Sequence, residues 1–267
     1  MKHISRIYTT LILLFLYAPL GVMVVFSFNK ARSTSVFGGF SLKWYSELIH
    51  DSSTVSALKN TLILAVASAL IATVLGTLSA VGIYKMKKKW LKTTVMTVTN
   101  IPMMNPDIVT GISLMLLFVF VSKLVGSGAA LGFGTMLIAH ITFNLPYVIL
   151  SVLPKLNQTD EHLSQAAQDL GCTPILAFFK VVLPSIMSGV FSGMIMAFTL
   201  SLDDFVISYF TTGSDFQTLP IKIFSMTKRR VTPDMYALST IIFLSVLILL
   251  ILFNIAEGKA NKRREVR

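Results

Sequence analysis

Six long apolar segments constrain the fold of this chain more than any other feature. Each is long enough to cross the hydrocarbon core of a bilayer, which takes about 20 predominantly apolar residues in a helix. Backbone groups in lipid must be hydrogen-bonded within the protein, so runs of this length predict helices. The sequence therefore predicts an all-α polytopic membrane protein with one membrane domain over 1–267 and spans at about 7–28, 62–84, 93–121, 131–153, 185–210 and 235–256.

Composition and charge support a membrane protein. Hydrophobic residues make up 54% of the chain and charged residues 13%. The net charge of +11 does not indicate nucleic acid binding, because the basic residues mostly flank apolar segments, as the positive-inside rule expects. A cluster of five lysines after the second span predicts that this loop and both termini are cytoplasmic. Lys228-Arg229-Arg230 runs against that orientation. The five lysines are Lys85, Lys87, Lys88, Lys89 and Lys92.

Small residues and prolines predict how the spans pack and where they break. Gly189 and Gly193 form a GxxxG pair, which favours close helix contact. The third span is interrupted over 101–107, where Pro102 and Pro106 remove backbone donors and predict a break. A second small-residue stripe lies in the second span at every fourth position: Ser68, Ala72, Gly76 and Ala80.

A polar stretch, 159–184, separates the fourth and fifth spans and predicts a short projecting helix. Thr159 is a candidate N-cap, and Gly171 is suited to the left-handed conformation that ends a helix. Thr173-Pro174 predicts the start of a second helix. The first helix carries a small apolar face that needs a partner, formed by Leu163, Ala166, Ala167 and Leu170.

The sequence contains no motif for catalysis, ATP binding or metal binding. We find no G-x-x-x-x-G-K-[ST], no H-E-x-x-H and no G-x-S-x-G. The lone His140 predicts a buried, hydrogen-bonded histidine rather than a metal ligand, and Trp44-Tyr45 predict anchors at the membrane interface. We therefore expect a transport subunit rather than an enzyme, with no catalytic residue, no metal and no cofactor of its own.

Three aspartates within the spans are the candidate substrate-pathway residues: Asp107, Asp203 and Asp204. A carboxylate at the bilayer centre costs at least about 2.5–3.5 kcal/mol, so it usually faces a cavity or a partner. Carboxylates spaced along a path suit a passing cation. Two structural alternatives stay open: Asp107 can begin a restarted helix after Asn105-Pro106, and one of the pair can be the partner of His140.

The polar stretch also carries a family resemblance. Gln165-Ala166-Ala167, three residues, Gly171, nine residues and then Val181-x-Leu183-Pro184 resembles the EAA loop of the permease subunits of bacterial ABC importers. The family pattern has Glu where this chain has Gln165, and Ile where it has Val181. The resemblance implies the type I importer permease fold and a coupling loop over 155–184 that contacts a cytoplasmic ATPase. The implied coupling residues are Leu163, Gln165, Ala166, Ala167, Leu170, Gly171 and Pro184.

Further stretches across nearly the whole chain resemble one member of the permease pair in spermidine/putrescine importers. They are 42–45, 105–109, 140–146, 167–171, 198–204 and 219–226. This resemblance implies uptake of polyamines across the bacterial cytoplasmic membrane. The implied partners are a second homologous permease, a homodimeric ATPase that binds ATP and Mg²⁺, and an extracytoplasmic polyamine-binding protein.

Two other functions remain compatible with the residues. One is a permease of the same superfamily for another substrate, such as thiamine, ferric iron, sulfate or a sugar phosphate. The aspartates argue against an anion, since no intramembrane Lys or Arg accompanies them. The other is an ion-coupled secondary transporter or a membrane enzyme that uses the aspartates. Dependence of transport on ATP distinguishes these possibilities.

Overall fold

The computed structural model describes residues 2–31, 36–126, 131–160, 162–213, 216–228 and 233–265. In these ranges the chain is helical, and its one strand-like contact is a bridge between Asn29 and Phe40. A π turn spans Phe178–Val182. The helices are α1 (Lys2–Ser27), α2 (Lys43–His50), α3 (Ser52–Tyr84), α4 (Lys89–Met104), α5 (Asp107–Val125), α6 (Phe133–Gln158), α7 (His162–Asp169), α8 (Pro174–Ala177), α9 (Leu183–Asp203), α10 (Val206–Thr211), α11 (Leu219–Thr227) and α12 (Pro233–Glu265).

Five of the described helical segments are long and apolar enough to cross a membrane, and a shorter apolar stretch, Pro233–Ile248, begins α12. The third span differs from the prediction over 93–121. The chain breaks between α4 and α5, and α5 alone has the length and hydropathy of a span, because α4 is rich in threonine and lysine. The five segments are Arg6–Ser27, Ser52–Tyr84, Asp107–Val125, Phe133–Gln158 and Pro174–Asp203.

The chain divides into two compact units, which we describe separately. The first comprises Met1–Val55 and Ile223–Arg267, and in it α12 packs against α1 and α2. The second unit, Ser56–Lys222, contains most of α3 and the helices α4 to α10.

In the first unit, Trp44 and Tyr45 hold the loop between α1 and α2. Trp44 is 4% exposed, and its indole N–H donates to the carbonyl oxygen of Asn29 at 2.7 Å. The Tyr45 hydroxyl hydrogen-bonds Ser27 Oγ at 2.6 Å. The Asn29 side chain is buried and accepts from the Gly38 N–H at 2.7 Å. The predicted membrane-interface role is therefore wrong for Trp44, whose ring belongs to the core of this unit.

In the second unit, small residues bring α3, α6 and α9 close together. Ser68, Ala72 and Ala80 are fully buried in α3, and a Cβ on Gly76 would lie 2.6 Å from Val148 Cγ1 on α6. The GxxxG pair of α9 faces the same helix, and a Cβ on Gly189 would lie 2.8 Å from the Ser151 carbonyl oxygen. Both packing predictions are confirmed.

We expect Gly76→Ala to destabilise the protein by about 1–3 kcal/mol, because the new methyl group would overlap the branched side chain of Val148. Gly82→Ala is the matched control, since Gly82 lies in the same helix and a Cβ added to it would meet no atom within 4 Å. Alanine there should be neutral or slightly stabilising. Thermal unfolding in detergent, monitored by fluorescence-detected size-exclusion chromatography, measures the unfolding midpoints of the two variants. Equal midpoints for the two variants would contradict the packing argument.

Candidate functional site

The polar stretch between α6 and α9 forms two short helices joined by a sharp turn. Asp160 Oδ1 accepts from the His162 N–H at 2.9 Å and caps α7. The predicted N-cap, Thr159, instead ends α6, and its hydroxyl donates to the Lys155 carbonyl oxygen at 2.8 Å. A threonine can bond back to its own helix in this way, so Asp160 is left as the side chain that satisfies the first orphan amide of α7.

Gly171 makes the turn after α7, as the sequence predicts. Its φ of +89° is in the left-handed region that favours glycine, and the Cys172 N–H returns to the Ala167 carbonyl oxygen at 3.1 Å. Thr173 Oγ1 then accepts from the Leu176 N–H at 3.3 Å, and Pro174 is the first residue of α8. The predicted end of α7 at Gly171 and the predicted start of a second helix at Thr173-Pro174 are both confirmed.

The apolar face predicted for α7 is divided in the structure. Ala167 is 8% exposed and is buried within the loop, whereas Leu170 is 87% exposed. Gln165 and Ala166 are also exposed. The exposed apolar side chains continue beyond the predicted face, into α8 and the π turn. We call the five large ones the coupling patch: Leu163, Leu170, Ile175, Leu176 and Phe179.

A π turn connects the coupling patch to the fifth span. The Leu183 N–H bonds to the Phe178 carbonyl oxygen, five residues back. Pro184 follows directly and has no N–H to donate to the turn before it. The missing donor explains why the widened turn lies at this point in an otherwise continuous helical segment.

The fifth span, predicted as continuous over 185–210, is broken between Asp203 and Val206. Asp204 lies in the break, and its carboxylate accepts from the Ser208 N–H at 2.7 Å and the Ile207 N–H at 3.3 Å. It therefore caps α10. The break contains neither proline nor glycine, and its one local signal is Asp204 itself, since aspartate commonly caps a helix.

His140 on α6 completes the arrangement around Asp204. Its Nε2 lies 2.9 Å from Ser208 Oγ and 3.5 Å from Asp204 Oδ2, and the histidine is 1% exposed. One turn further along α6, the Asn144 amide donates to Ser201 Oγ at 2.7 Å. Ser201 Oγ also bonds Ser68 Oγ at 2.8 Å. These two groups of buried polar contacts join α6 to α10 and α6 to α9 and α3, and the first confirms the prediction of a hydrogen-bonded His140.

We expect Asp204→Ala to destabilise the protein by about 2–4 kcal/mol, because it removes a helix cap and leaves His140 and Ser208 short of a partner. Asp204→Asn keeps one acceptor oxygen and should cost less. Asp203→Ala is the neighbouring control, since Asp203 is exposed. The midpoint of thermal unfolding measures all three. If the unfolding midpoint of Asp204→Ala equals that of Asp203→Ala, Asp204 has no structural role.

Asp107 and Asp203 are placed differently from Asp204, because both are exposed. Asp107 begins α5 after Asn105-Pro106, as one alternative predicts. One turn later on the same face, Gly111 packs against Val206 and Phe210 of α10. Asp107 thus lies on the face of α5 that packs against α10.

Within the described residues, no group of three or more His, Cys, Asp or Glu side chains could hold a metal ion. The candidate site consists of two exposed carboxylates, one capped break in a span and one segment with exposed apolar side chains.

Comparison with known proteins decides the family. Residues 72–265 match the family described as binding-protein-dependent transport system inner membrane component. The chain belongs to this family. The predictions of an inner-membrane transport subunit, and of a protein that is not an enzyme, are confirmed by this membership.

Sequence similarity to known permeases covers nearly the whole of this chain. This permease is 38% identical over 250 residues to the putrescine transport system permease protein PotI of Escherichia coli, covering 94% of this chain and 89% of the relative. It is 39% identical over 244 residues to the spermidine/putrescine transport system permease protein PotC of Escherichia coli, covering 91% and 90%. The PotC of Haemophilus influenzae is 38% identical over 247 residues, covering 92% and 93%.

Solved structures support the fold. A chain of a bacterial alginate ABC transporter, in complex with its alginate-bound periplasmic protein, superposes with a TM-score of 0.73 at 16% identity, covering 94% of this permease and 91% of that chain. A chain of an amino acid ABC transporter gives a TM-score of 0.58 at 17% identity, covering 81% and 98%. The predicted all-α fold of type I importer permeases is confirmed.

Proposed function

We propose that this permease is one of two homologous membrane subunits of an ATP-driven importer that takes up polyamines, spermidine or putrescine. The observation that carries the proposal is its identity of 38% and 39%, over more than nine tenths of the chain, to permeases named for putrescine and spermidine/putrescine transport. In the proposed assembly, a binding protein outside the membrane delivers the polyamine. A cytoplasmic ATPase dimer binds ATP and Mg²⁺, which this chain does not bind.

The coupling patch is the proposed contact with the ATPase. A short helix with exposed apolar side chains suits a helix-in-groove contact. Leu170 and Ile175, at 87% and 73% exposed, are available to such a groove, whereas Ala167 holds the loop together. Gln165 and Ala166 lie exposed beside them, and Gly171 and Pro184 shape the turn and the entry to α9. Closure of the ATPase dimer on ATP would then move α7 and α8 and, through the π turn, α9.

Asp107 and Asp203 are the proposed pathway carboxylates. Both are exposed, and Asp203 lies at the C-terminal end of α9, where the helix dipole also favours a cation. Polyamines are polycations, so spaced carboxylates would stabilise a passing ammonium group without holding it tightly. The contacts of Asp204 with His140 and the α10 amides support a structural role, and we leave it out of the pathway.

The proposed orientation places both termini and the coupling patch in the cytoplasm. The five lysines within 85–92 support it, since positive charge is retained on the cytoplasmic side. Cys172, the single cysteine of the chain, lies in the turn between α7 and α8 and provides a label for sidedness.

Uptake of radiolabelled spermidine and putrescine into proteoliposomes tests the function. The vesicles contain this chain, its permease partner and the ATPase, with the binding protein outside and ATP inside. We expect ATP-dependent uptake of at least one polyamine. ATP-dependent uptake of thiamine or ferric iron alone would keep the importer and reject the polyamine. Uptake by this chain alone in a proton gradient would reject the importer.

A further inference from the structure

The turn between α3 and α4 concentrates positive charge in a compact, ordered segment. α3 ends at Tyr84 and α4 begins at Lys89, and the Lys85 N–H still bonds the Val81 carbonyl oxygen at 3.1 Å. Lys85, Lys87, Lys88 and Lys89 are exposed, while Lys92 lies with its Nζ 6.0 Å from the centre of the Tyr84 ring. We call residues 85–92 the lysine turn.

No carboxylate of the described chain neutralises the lysine turn. Among the described residues, the ion pair that involves a lysine joins Lys43 to Glu47 and lies outside this turn. Exposed like charges this close together repel one another, and a negatively charged partner would relieve that repulsion.

An apolar face follows the lysines along α4. Trp90, Val98 and Ile101 are 68%, 58% and 55% exposed. Between them, Thr94 is exposed, but its hydroxyl donates to the Trp90 carbonyl oxygen at 3.0 Å. Thr97 is also exposed beside it, so the face is apolar with two threonines in its middle. The other side of α4, with Val95 and Met96, packs against the core formed by α3, α6 and α9.

We propose that the lysine turn and the outer face of α4 bind an anionic phospholipid. The headgroup phosphate is held by the exposed lysines, Trp90 lies at the headgroup level, and Val98 and Ile101 lie along the acyl chain. Tryptophan is enriched at this depth of the bilayer, and basic clusters next to a span attract anionic lipids.

The combination of charge and apolar length favours a lipid over an acidic protein surface. An acidic protein surface would match the lysines alone. The apolar row from Trp90 to Ile101 continues for about 16 Å along the helix axis, which suits an acyl chain. Because α4 packs on the core of α3, α6 and α9, a lipid bound here would fix the depth of these helices in the membrane.

Tryptophan quenching by brominated lipids tests the proposal on the full chain. The chain has two tryptophans, of which Trp44 is 4% exposed and Trp90 is 68% exposed. In phosphatidylcholine vesicles, we expect dibrominated phosphatidylglycerol to quench the emission more than dibrominated phosphatidylcholine at equal mole fraction. Each lysine removed should lower the preference for phosphatidylglycerol over phosphatidylcholine about fivefold. K85Q/K87Q/K88Q/K89Q should remove the excess, and 1 M salt should reduce it, since the Debye length falls to about 3 Å.

Four controls keep the test specific. Lysine-to-arginine substitution at the same four positions retains the charge and should retain the excess, whereas Trp90→Phe should remove most of the quenching. K59Q/K123Q removes two exposed lysines at other places and should change nothing. K87Q/K88Q keeps two of the four substituted lysines, so its excess quenching by dibrominated phosphatidylglycerol should lie between those of the unmodified chain and the fourfold variant. Labelling of Cys172 with an impermeant maleimide reports whether each variant keeps its orientation.

Equal quenching by the two lipids in the unmodified chain would overturn the proposal. So would an excess that survives the four glutamine substitutions in correctly oriented protein. If K87Q/K88Q leaves the excess unchanged but lowers retention of the ATPase on purification, the lysine turn docks a protein and the lipid proposal is wrong.

Discussion

Replacing Leu170 with glutamate is expected to lower ATP-dependent uptake by at least about tenfold while the fold is retained. The side chain is 87% exposed, so the substitution removes no internal packing. In an apolar groove, the same change loses a buried anchor and adds a charge to desolvate. The loss of one such anchor at an interface costs about 2 kcal/mol or more, which exceeds a tenfold change in affinity. Retention of the ATPase on affinity purification and the uptake rate measure the effect.

Two neighbouring substitutions make this result specific. Gln168→Glu adds the same charge two residues away, on an exposed residue that is not part of the coupling patch, and should leave uptake nearly unchanged. Ala167→Glu places the charge at a residue that is 8% exposed, and it should lower the unfolding midpoint instead. Full uptake by Leu170→Glu, with normal ATPase retention, would show that this patch does not carry coupling.

Neutralising Asp203 or Asp107 is the second large expected effect. Asp203→Asn and Asp107→Asn preserve side-chain size, and both residues are exposed, so folding should be unaffected. A hydrogen bond to a charged group contributes about 1.5–3 kcal/mol, and its loss along the pathway should lower spermidine uptake about tenfold to a hundredfold. Uptake rates at saturating binding protein, with unfolding midpoints in parallel, provide the measurement.

Asp234→Asn is the matched control, because it neutralises an aspartate in the first turn of α12. It should change uptake by less than about twofold, as expected for a surface charge near a helix end. If Asp203→Asn and Asp107→Asn behave like this control, the two carboxylates serve local structure and the pathway runs elsewhere. If either variant loses stability along with uptake, that residue is structural.

Features set by short-range sequence were predictable. The spacing of Gly76 and Gly189 with their small neighbours predicted close contacts, because one helix face repeats every three to four residues. The break before Asp107 was predictable from Pro106, which has no amide hydrogen to continue the helix, but Pro102, also expected to interrupt the span, lies within α4. Gly171 was predictable as a helix end because glycine adopts the left-handed conformation without strain.

Features set by distant partners were not predictable. The break at Asp204 contains neither proline nor glycine, and the contact of Asp204 with His140 comes from another helix. Ala167 and Leu170 share a helix face by spacing, yet the return of the chain after Gly171 buries one and leaves the other exposed. The burial of Trp44 was missed because its bond to the Asn29 carbonyl oxygen depends on the fold of the intervening loop.

The π turn at Phe178–Val182 has a consequence for how this segment tolerates changes in length. A π turn contains one residue more than the α-helical turn it replaces, so the extra residue is accommodated within the five positions of this turn. Deleting one residue there would return the turn to α-helical spacing and leave the rotational phase of α8 relative to α9 nearly unchanged. Deleting one residue within α9 would instead rotate everything beyond it by about 100°. Gly189 would then turn away from Ser151, and the contact between α6 and α9 would be lost.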